Sequence, residues 1–308
     1  MAEESLQGRG QVDVDYLGKS DAGRYIAIVH CKVIAFARKR NVQNVIKNIR
    51  LAKKLGARHV ILPPFFNTGP VVGIDGVSEE TCKKFFELTS DKTTKIIAAL
   101  ARLERVNIIV SGFLEKAGAY HYVSSLFINY EGKLLAKRRK LVVSSREIAN
   151  GIKTGKSIDL FKIKGLAIGV VIDDEVYYPE IARVYRVLGA SAVVASINPL
   201  YVNHLTLSHI LKTRAEENSM PLIVPGSVLY VSNSFKGLVS SMIYRCDGSK
   251  IYEYGGLEQK LILVPLENII GDIKSNNDFE SLTHVGRIYF KVLKDLGKVA
   301  FTAENRDV

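Results

Sequence analysis

The apolar positions change rhythm several times along the chain, and each rhythm predicts an element. From Tyr25 to Phe36, "YIAIVHCKVIAF" is a near-continuous apolar run rich in Val and Ile, the signature of a buried strand. In "NVQNVIKNIRLAKKLGA", Val42, Val45, Ile46, Ile49 and Ala52 recur at helical spacing, with Asn41 placed to cap the start and Gly56 the end. "RHVILPPF" returns to a strand that its prolines stop. The cycle then repeats. "SEETCKKFFELTSDKTTKIIAALARLERV" predicts a helix and "NIIVSGFLEK" a strand. "YHYVSSLFINYEGKLLAKRRK" predicts two strands about Glu131-Gly132, and "SIDLFKIKGLAIGVVID" predicts another pair.

The stretch "GLAIGVVIDDEVYYPEIARVYRVLGASAVV" (residues 165–194) reads as strand, sharp turn, helix and strand, with Asp173, Asp174 and Glu175 at the turn. A helix over "NHLTLSHILKTRAEENS", strands in "PLIVPGSV", "GLVSSMIYRCDGSKIYEYG" and "QKLILVPLE", and a helix over "DFESLTHVGRIYFKVLKDLG" complete the pattern. Strands joined both by helical crossovers and by hairpins imply mixed sheets with helices outside. The predicted architecture is α/β, an α-β-β-α sandwich of two mixed sheets. Residues 1–23 carry no sustained period and read as a flexible extension. No repeat or linker divides 24–296, which reads as one domain, and 297–308 as a tail.

Composition narrows the class. With 308 residues, 47% hydrophobic and 24% charged, the chain can bury a large core. No apolar run is long enough to span a bilayer, and "MAEESLQGRGQVDVDYLGKSDAGR" lacks the apolar centre of a secretory signal. The expectation is a cytoplasmic protein without a membrane segment. Cys31, Cys82 and Cys246 have neither disulfide-framework nor zinc-motif spacing and read as small buried hydrophobes. Abundant Lys, Ile and Val without any Trp point to a thermophile, although the net charge of +12, from 43 basic and 31 acidic residues, is one-sided for ion-pair networks.

That excess permits an anionic partner such as nucleic acid. The basic clusters are Arg38, Lys39 and Arg40; Lys47, Arg50 and Lys54 on one helix face; and Lys137, Arg138, Arg139 and Lys140. They read either as ordinary solvated faces or as a phosphate-tracking surface, with no motif for sequence-specific readout. No metal or other cofactor is expected. His204 and His209 are five apart, where a helical ligand pair needs four, and the adjacent acids at 173–175 would have to share one turn.

Three segments, "ILPPFFNTG" (Ile61 to Gly69), "KRRKLVV" (Lys137 to Val143) and "IGVVIDDEVYYPE" (Ile168 to Glu180), occur in an order that resembles the carbon–nitrogen hydrolase (nitrilase) superfamily. Thr68-Gly69, the Tyr178–Glu180 "YPE", "RAEEN" from Arg214 to Asn218, and Asp247-Gly248 also match its landmarks. The resemblance implies the sandwich fold, association of subunits, and a Glu, Lys and Cys that act as proton carrier, oxyanion stabiliser and nucleophile.

At those three positions this chain has Pro64, Lys140 and Asp173. Glu147 matches the family's auxiliary glutamate, in a loop shorter than usual. Val142 and Val123 replace its frequent His and Asn. The resemblance therefore implies a retained fold without the parent chemistry: a catalytically inactive binding or scaffold subunit, with Lys140 and Asp173 forming an ion pair. One alternative is an amide hydrolase rebuilt around Asp173, Lys140 and Glu147. The other is a nucleic-acid-associated protein that uses its basic surface.

Overall fold

The computed structural model describes residues 12–20, 24–163, 165–200, 202–270, 286–288, 291 and 294. The chain forms two compact units, Met1–Ile273 and Lys274–Val308. The helix expected over 278–297 lies outside the described residues except at 286–288, 291 and 294, which are helical, and the tail from 297 lies outside them altogether.

The first unit opens with β1 (Asp13–Tyr16), inside the stretch expected to be a loose extension. Its four residues are too few to show a period. It is made a strand by parallel pairing with β15 (Lys260–Pro265), where the Lys260 ammonium lies 3.0 Å from carboxylate oxygens of both Asp13 and Asp15. β2 (Tyr25–Ile34) shows how a buried strand serves two layers. Ile26 and Ile28 point to one face, Ala27, Val29, Cys31 and Val33 to the other, and all are buried.

α1 (Arg38–Lys54) starts three residues before the expected cap. Asn41 instead ties down the end of β2: its side chain accepts from Ile34 N and donates to the carbonyls of Ile34 and Asn67. After β3 (Ala57–Leu62), the single helix expected over 78–106 is two, α2 (Glu79–Lys83) and α3 (Lys92–Glu104). The interruption has a cause in the backbone. Glu87 exchanges hydrogen bonds with β4 (Asn107–Ala117), through Leu114 O and Lys116 N, so it cannot remain helical.

The chain continues through β5 (Tyr120–Ile128), β6 (Leu134–Arg139), α4 (Ser145–Ala149), β7 (Phe161–Ile163) and β8 (Leu166–Ile172). A 3-10 turn, Asp173–Tyr177, leads into α5 (Pro179–Val187), β9 (Ala192–Ser196) and α6 (His204–Glu217). Then follow β10 (Leu222–Val224), β11 (Ser227–Val231), β12 (Ser234–Val239), β13 (Ser241–Tyr244), β14 (Lys250–Tyr254), β15 and α7 (Leu266–Ile270).

Among the described residues, nine strands form one sheet in the order β1-β15-β2-β3-β4-β5-β6, with the β11–β12 hairpin joined to β2. Six form the other in the order β14-β13-β10-β9-β8-β7. Ile28, Ile61, Ile109 and Phe127 of the first sheet meet Ile168, Val170, Val194 and Ile223 of the second in an apolar interlayer. Val45, Ile49 and Ile97 of α1 and α3 cover the first sheet, and Ile181, Tyr185, Leu207 and Leu211 of α5 and α6 cover the second. This is an α-β-β-α sandwich. Each fully buried aliphatic contributes roughly 1.5–3 kcal/mol, so the interlayer is the main clamp between the sheets.

Candidate functional site

Lys140 follows β6 directly, with its backbone held on both sides: its N–H donates to Val123 O at 2.7 Å and its carbonyl accepts from Gly155 N at 2.7 Å. The side chain is fully buried and its ammonium meets three carboxylates. Nζ lies 2.9 and 2.8 Å from the two Glu147 oxygens, 3.3 Å from Asp174 Oδ2 and 3.4 Å from Asp173 Oδ2. Glu147 is itself fixed. It is the third residue of α4, whose cap Ser144 donates to it from both N and Oγ while accepting from Glu147 N.

Asp173 stands where β8 breaks into the 3-10 turn, with φ of 55°. A non-glycine residue rarely adopts that left-handed conformation, and such strain concentrates at sites. Its Oδ1 accepts from Asn198 N at 3.2 Å, just beyond the end of β9. Burial pushes the Asp173 carboxyl up to about 6; Asp174 and Glu147 push the same way, and Lys140 opposes them. For Lys140, burial favours the neutral amine, but the charges of Asp173 and Glu147 outweigh it and hold the proton more tightly than usual. Burial, with Asp174 and Asp173 nearby, also raises the Tyr177 hydroxyl.

These groups border a cavity of about 260 Å³ lined by Val72, Gly73, Ser144, Arg146, Glu147, Asp173, Asp174 and Asn198. Pro64 is not among them. It is buried in the turn after β3 and packs where a Cβ on Gly112 would come within 2.9 Å of its own Cβ. A proline ring, which carries no ionisable group, therefore takes the position that the resemblance assigns to the proton-carrying Glu. Sequence reasoning missed Arg146, Asn198 and Ser144. Ser144 and Glu147 did carry a signal, the S-x-x-E spacing of a capping box.

The acids at 173–175 do not act as one group. Glu175 turns away from the cavity, is fully buried, and pairs with Arg138, whose side chain is also without solvent access. Glu175 accepts in addition from Leu141 N at 2.5 Å and Ile172 N at 2.7 Å, joining the end of β6 to the end of β8. The three carboxylates that do converge, Glu147, Asp173 and Asp174, surround an ammonium where a cation would have to sit. Among the described residues no His, Cys, Asp and Glu grouping could hold a metal ion.

The "KRRK" run is thereby removed from the expected phosphate-tracking surface. Strand alternation sends Arg138 and Lys140 inward to Glu175 and Glu147. It sends Lys137 and Arg139 to the other side, where the buried Glu115 accepts from Lys137 Nζ at 2.5 Å and from Arg139 Nη2 at 2.7 Å. Burial of Glu115 favours its neutral form, but these donors, with Ser124, hold the carboxyl below its ordinary value. The cations of α1 also divide. Arg38 reaches Glu87 at 3.4 Å and shares a pocket with Lys39, whereas Arg40, Lys47 and Arg50 line a separate groove, and Lys54 is exposed in the last turn.

A family model described as carbon–nitrogen hydrolase matches residues 25–272. Among curated proteins, the chain is 27% identical over 167 residues to nitrilase homolog 2 of Dictyostelium discoideum, covering 51% of this chain and 49% of that protein. It is 29% identical over 163 residues to a nitrilase of Pyrococcus abyssi (strain GE5 / Orsay), covering 52% and 59%. The matched stretch thus spans about half the length of these relatives. Among solved structures, an amidase mutant from Nesterenkonia sp. AN1, with the acetamide moiety of fluoroacetamide added at its active-site cysteine, superposes with a TM-score of 0.68. That superposition has 18% identity and covers 86% of this chain and 99% of that one, a likeness of fold.

Proposed function

The chain belongs to the carbon–nitrogen hydrolase family, and from that premise we propose that it is a binding or scaffold subunit without the family's hydrolytic chemistry. One observation carries the reading: the Lys140 ammonium is spent on Glu147, Asp173 and Asp174. An oxyanion stabiliser has to aim a donor at charge that develops during the reaction. Here the donor is already neutralised by three standing charges. A carboxylate is a weak nucleophile toward an unactivated amide, and none of the three cysteines is among the residues that line the cavity. The site then works as a small polar pocket whose charged walls are held in place by one another.

The same reading has the subunits associate with copies of themselves. Tyr178, Val184, Val187 and Leu188 are large apolar side chains exposed on or beside α5, and Leu205 on α6 is 72% exposed. Val184, Val187 and Leu188 recur at helical spacing, and an exposed apolar face of this kind marks an interaction site. Among the described residues no helix is long and apolar enough to cross a membrane.

A second reading, amide hydrolysis rebuilt around Asp173, Lys140 and Glu147, rests on the Asp173 carboxyl being pushed up to about 6, where it would exchange protons near neutral pH. Ammonia release from a panel of aliphatic amides and nitriles separates the two. The binding-subunit reading expects release at the buffer rate with the native protein and with Asp173→Ala alike. Release that depends on the protein and disappears in Asp173→Ala would establish the hydrolase instead.

A further inference from the structure

Apart from the Lys140 cavity, with which it shares no lining residue, α1 and the C-terminal end of β2 enclose a groove of about 550 Å³. Lys32, Arg40, Lys47 and Arg50 line it together with the amides of Asn41, Gln43, Asn44 and Gln259, and no carboxylate does. Arg40, Lys47 and Arg50 follow one another at seven and three residues along α1, so they form a row about 15 Å long at the helical rise. Arg50 has one acid nearby, Glu104 at 3.5 Å, and its own side chain remains 60% exposed. Among the described residues Arg40 and Lys47 make no ion pair.

Four cations with no acid in the wall repel one another, and a bound polyanion relieves that repulsion while releasing counterions. The row is too long for a single phosphate and fits a chain of two or three.

The β2 end of the groove adds a different chemistry. β11 runs beside β2 in parallel, and the Lys32 ammonium lies 4.7 Å from the centroid of the Tyr230 ring. Phe235, on the paired strand β12, meets Tyr230 edge-on at 6.0 Å and is 51% exposed, with Lys236 exposed next to it. A basic track that ends at an open aromatic face is how single strands are held without regard to sequence: phosphates follow the cations and unpaired bases stack on the rings.

We propose that this groove binds single-stranded nucleic acid, the backbone lying along Arg40, Lys47 and Arg50 and a base stacking at Phe235. The site is separate from the Lys140 cavity and stands whether or not that cavity is catalytic. A duplex keeps its bases paired and offers none to the rings. Inorganic polyphosphate has the charge and lacks the base.

Fluorescence anisotropy of the full chain with a labelled oligothymidylate of about 12 nucleotides tests this. Affinity is expected to fall with salt at a log–log slope of about −1.4 to −2.1, as two or three neutralised phosphates require. Arg40→Glu with Lys47→Glu should weaken binding at least roughly tenfold and flatten the slope. Lys153→Glu with Lys156→Glu, the same charge change at exposed positions elsewhere, should leave binding within about twofold, since screening confines such effects to neighbouring charges. Phe235→Ala should weaken the oligonucleotide roughly tenfold and leave polyphosphate unchanged.

All the substituted side chains are exposed, so circular dichroism and an unchanged melting temperature confirm that each variant is folded. The proposal is overturned by absence of binding at about 50 mM salt, by equal losses in the two double-charge variants, by preference for duplex, or by indifference of the oligonucleotide to Phe235→Ala.

Discussion

Arg138 and Glu175 face each other with neither side chain open to solvent, and their pairing joins the end of β6 to the turn that follows β8. The pair explains how one cation of residues 137–140 and one acid of residues 173–175 are buried together, each compensating the other. Glu175 also satisfies two backbone donors. Arg138 keeps Nε and Nη2 without hydrogen-bond acceptors and lies 6.0 Å from the Tyr185 ring centroid.

Removing one partner should therefore be far worse than replacing both. Glu175→Gln leaves the Arg138 guanidinium buried and uncompensated, and a loss of about 3–5 kcal/mol is expected in urea unfolding. Adding Arg138→Met to Glu175→Gln removes the stranded charge while the amide oxygen still accepts from the backbone. The double variant should recover most of that loss. A double variant no better than the single one would mean that the pair acts through packing alone.

Asp173 sets a pH dependence of known sign. Its folded pKa of about 6 lies above the ordinary 3.8, so between those values the folded protein keeps a proton that the unfolded chain has released. Stability from this group is complete below pH 3.8 and declines as pH rises through about 6. Lys140, raised above its ordinary 10.5, contributes stability below that value and loses it only at higher pH, outside this window. Asp173→Asn mimics the protonated form. It is expected to be more stable than the native protein at neutral pH by an amount on the order of 1–3 kcal/mol, with the gain vanishing in acid. Denaturant titrations across the acid-to-neutral range measure the difference.

A thiol alone should not rebuild the reaction. Asp173→Cys places the family's nucleophile type at the strained turn, but Lys140 remains paired with Glu147 and Pro64 still replaces the proton carrier. The new thiol is expected to be alkylated by iodoacetamide faster than Cys82, which is buried in the interlayer with its thiol pushed up by burial and by Glu79. Ammonia release from amides should stay at background. Turnover by the single variant would show that Lys140 and Glu147 can still assist acyl transfer.

The apolar face of α5 predicts the oligomeric state. Val184→Asp with Leu188→Asp puts two charges on side chains that are 38% and 49% exposed, so the subunit itself should fold as before. Light scattering is expected to show a species of lower mass than the native protein. Equal masses for the two proteins would remove α5 as the contact.

The alternation of apolar residues and the helical spacing on α1, α3, α5 and α6 suffice to predict a two-sheet sandwich, because they depend on backbone geometry a few residues long. Those periods say nothing about β1, whose four residues become a strand only by pairing with a segment near the other end of the first unit. They also miss the break at Glu87, where β4 captures the backbone.

The candidate site divides in the same way. Pro64, Lys140 and Asp173 are legible as positions in a pattern. That Lys140 meets three acids, that Glu175 belongs to Arg138, and that α1 shares a groove with Lys32 follow from strand ends and helix faces brought together from distant parts of the chain. Local sequence determined which residues are apolar, where most of the strands and helices lie and which catalytic types stand at the family positions. Tertiary structure decided which charges neutralise one another and which remain open to a ligand, because an ion pair depends on distance and burial in space, and neither is a property of neighbours along the chain.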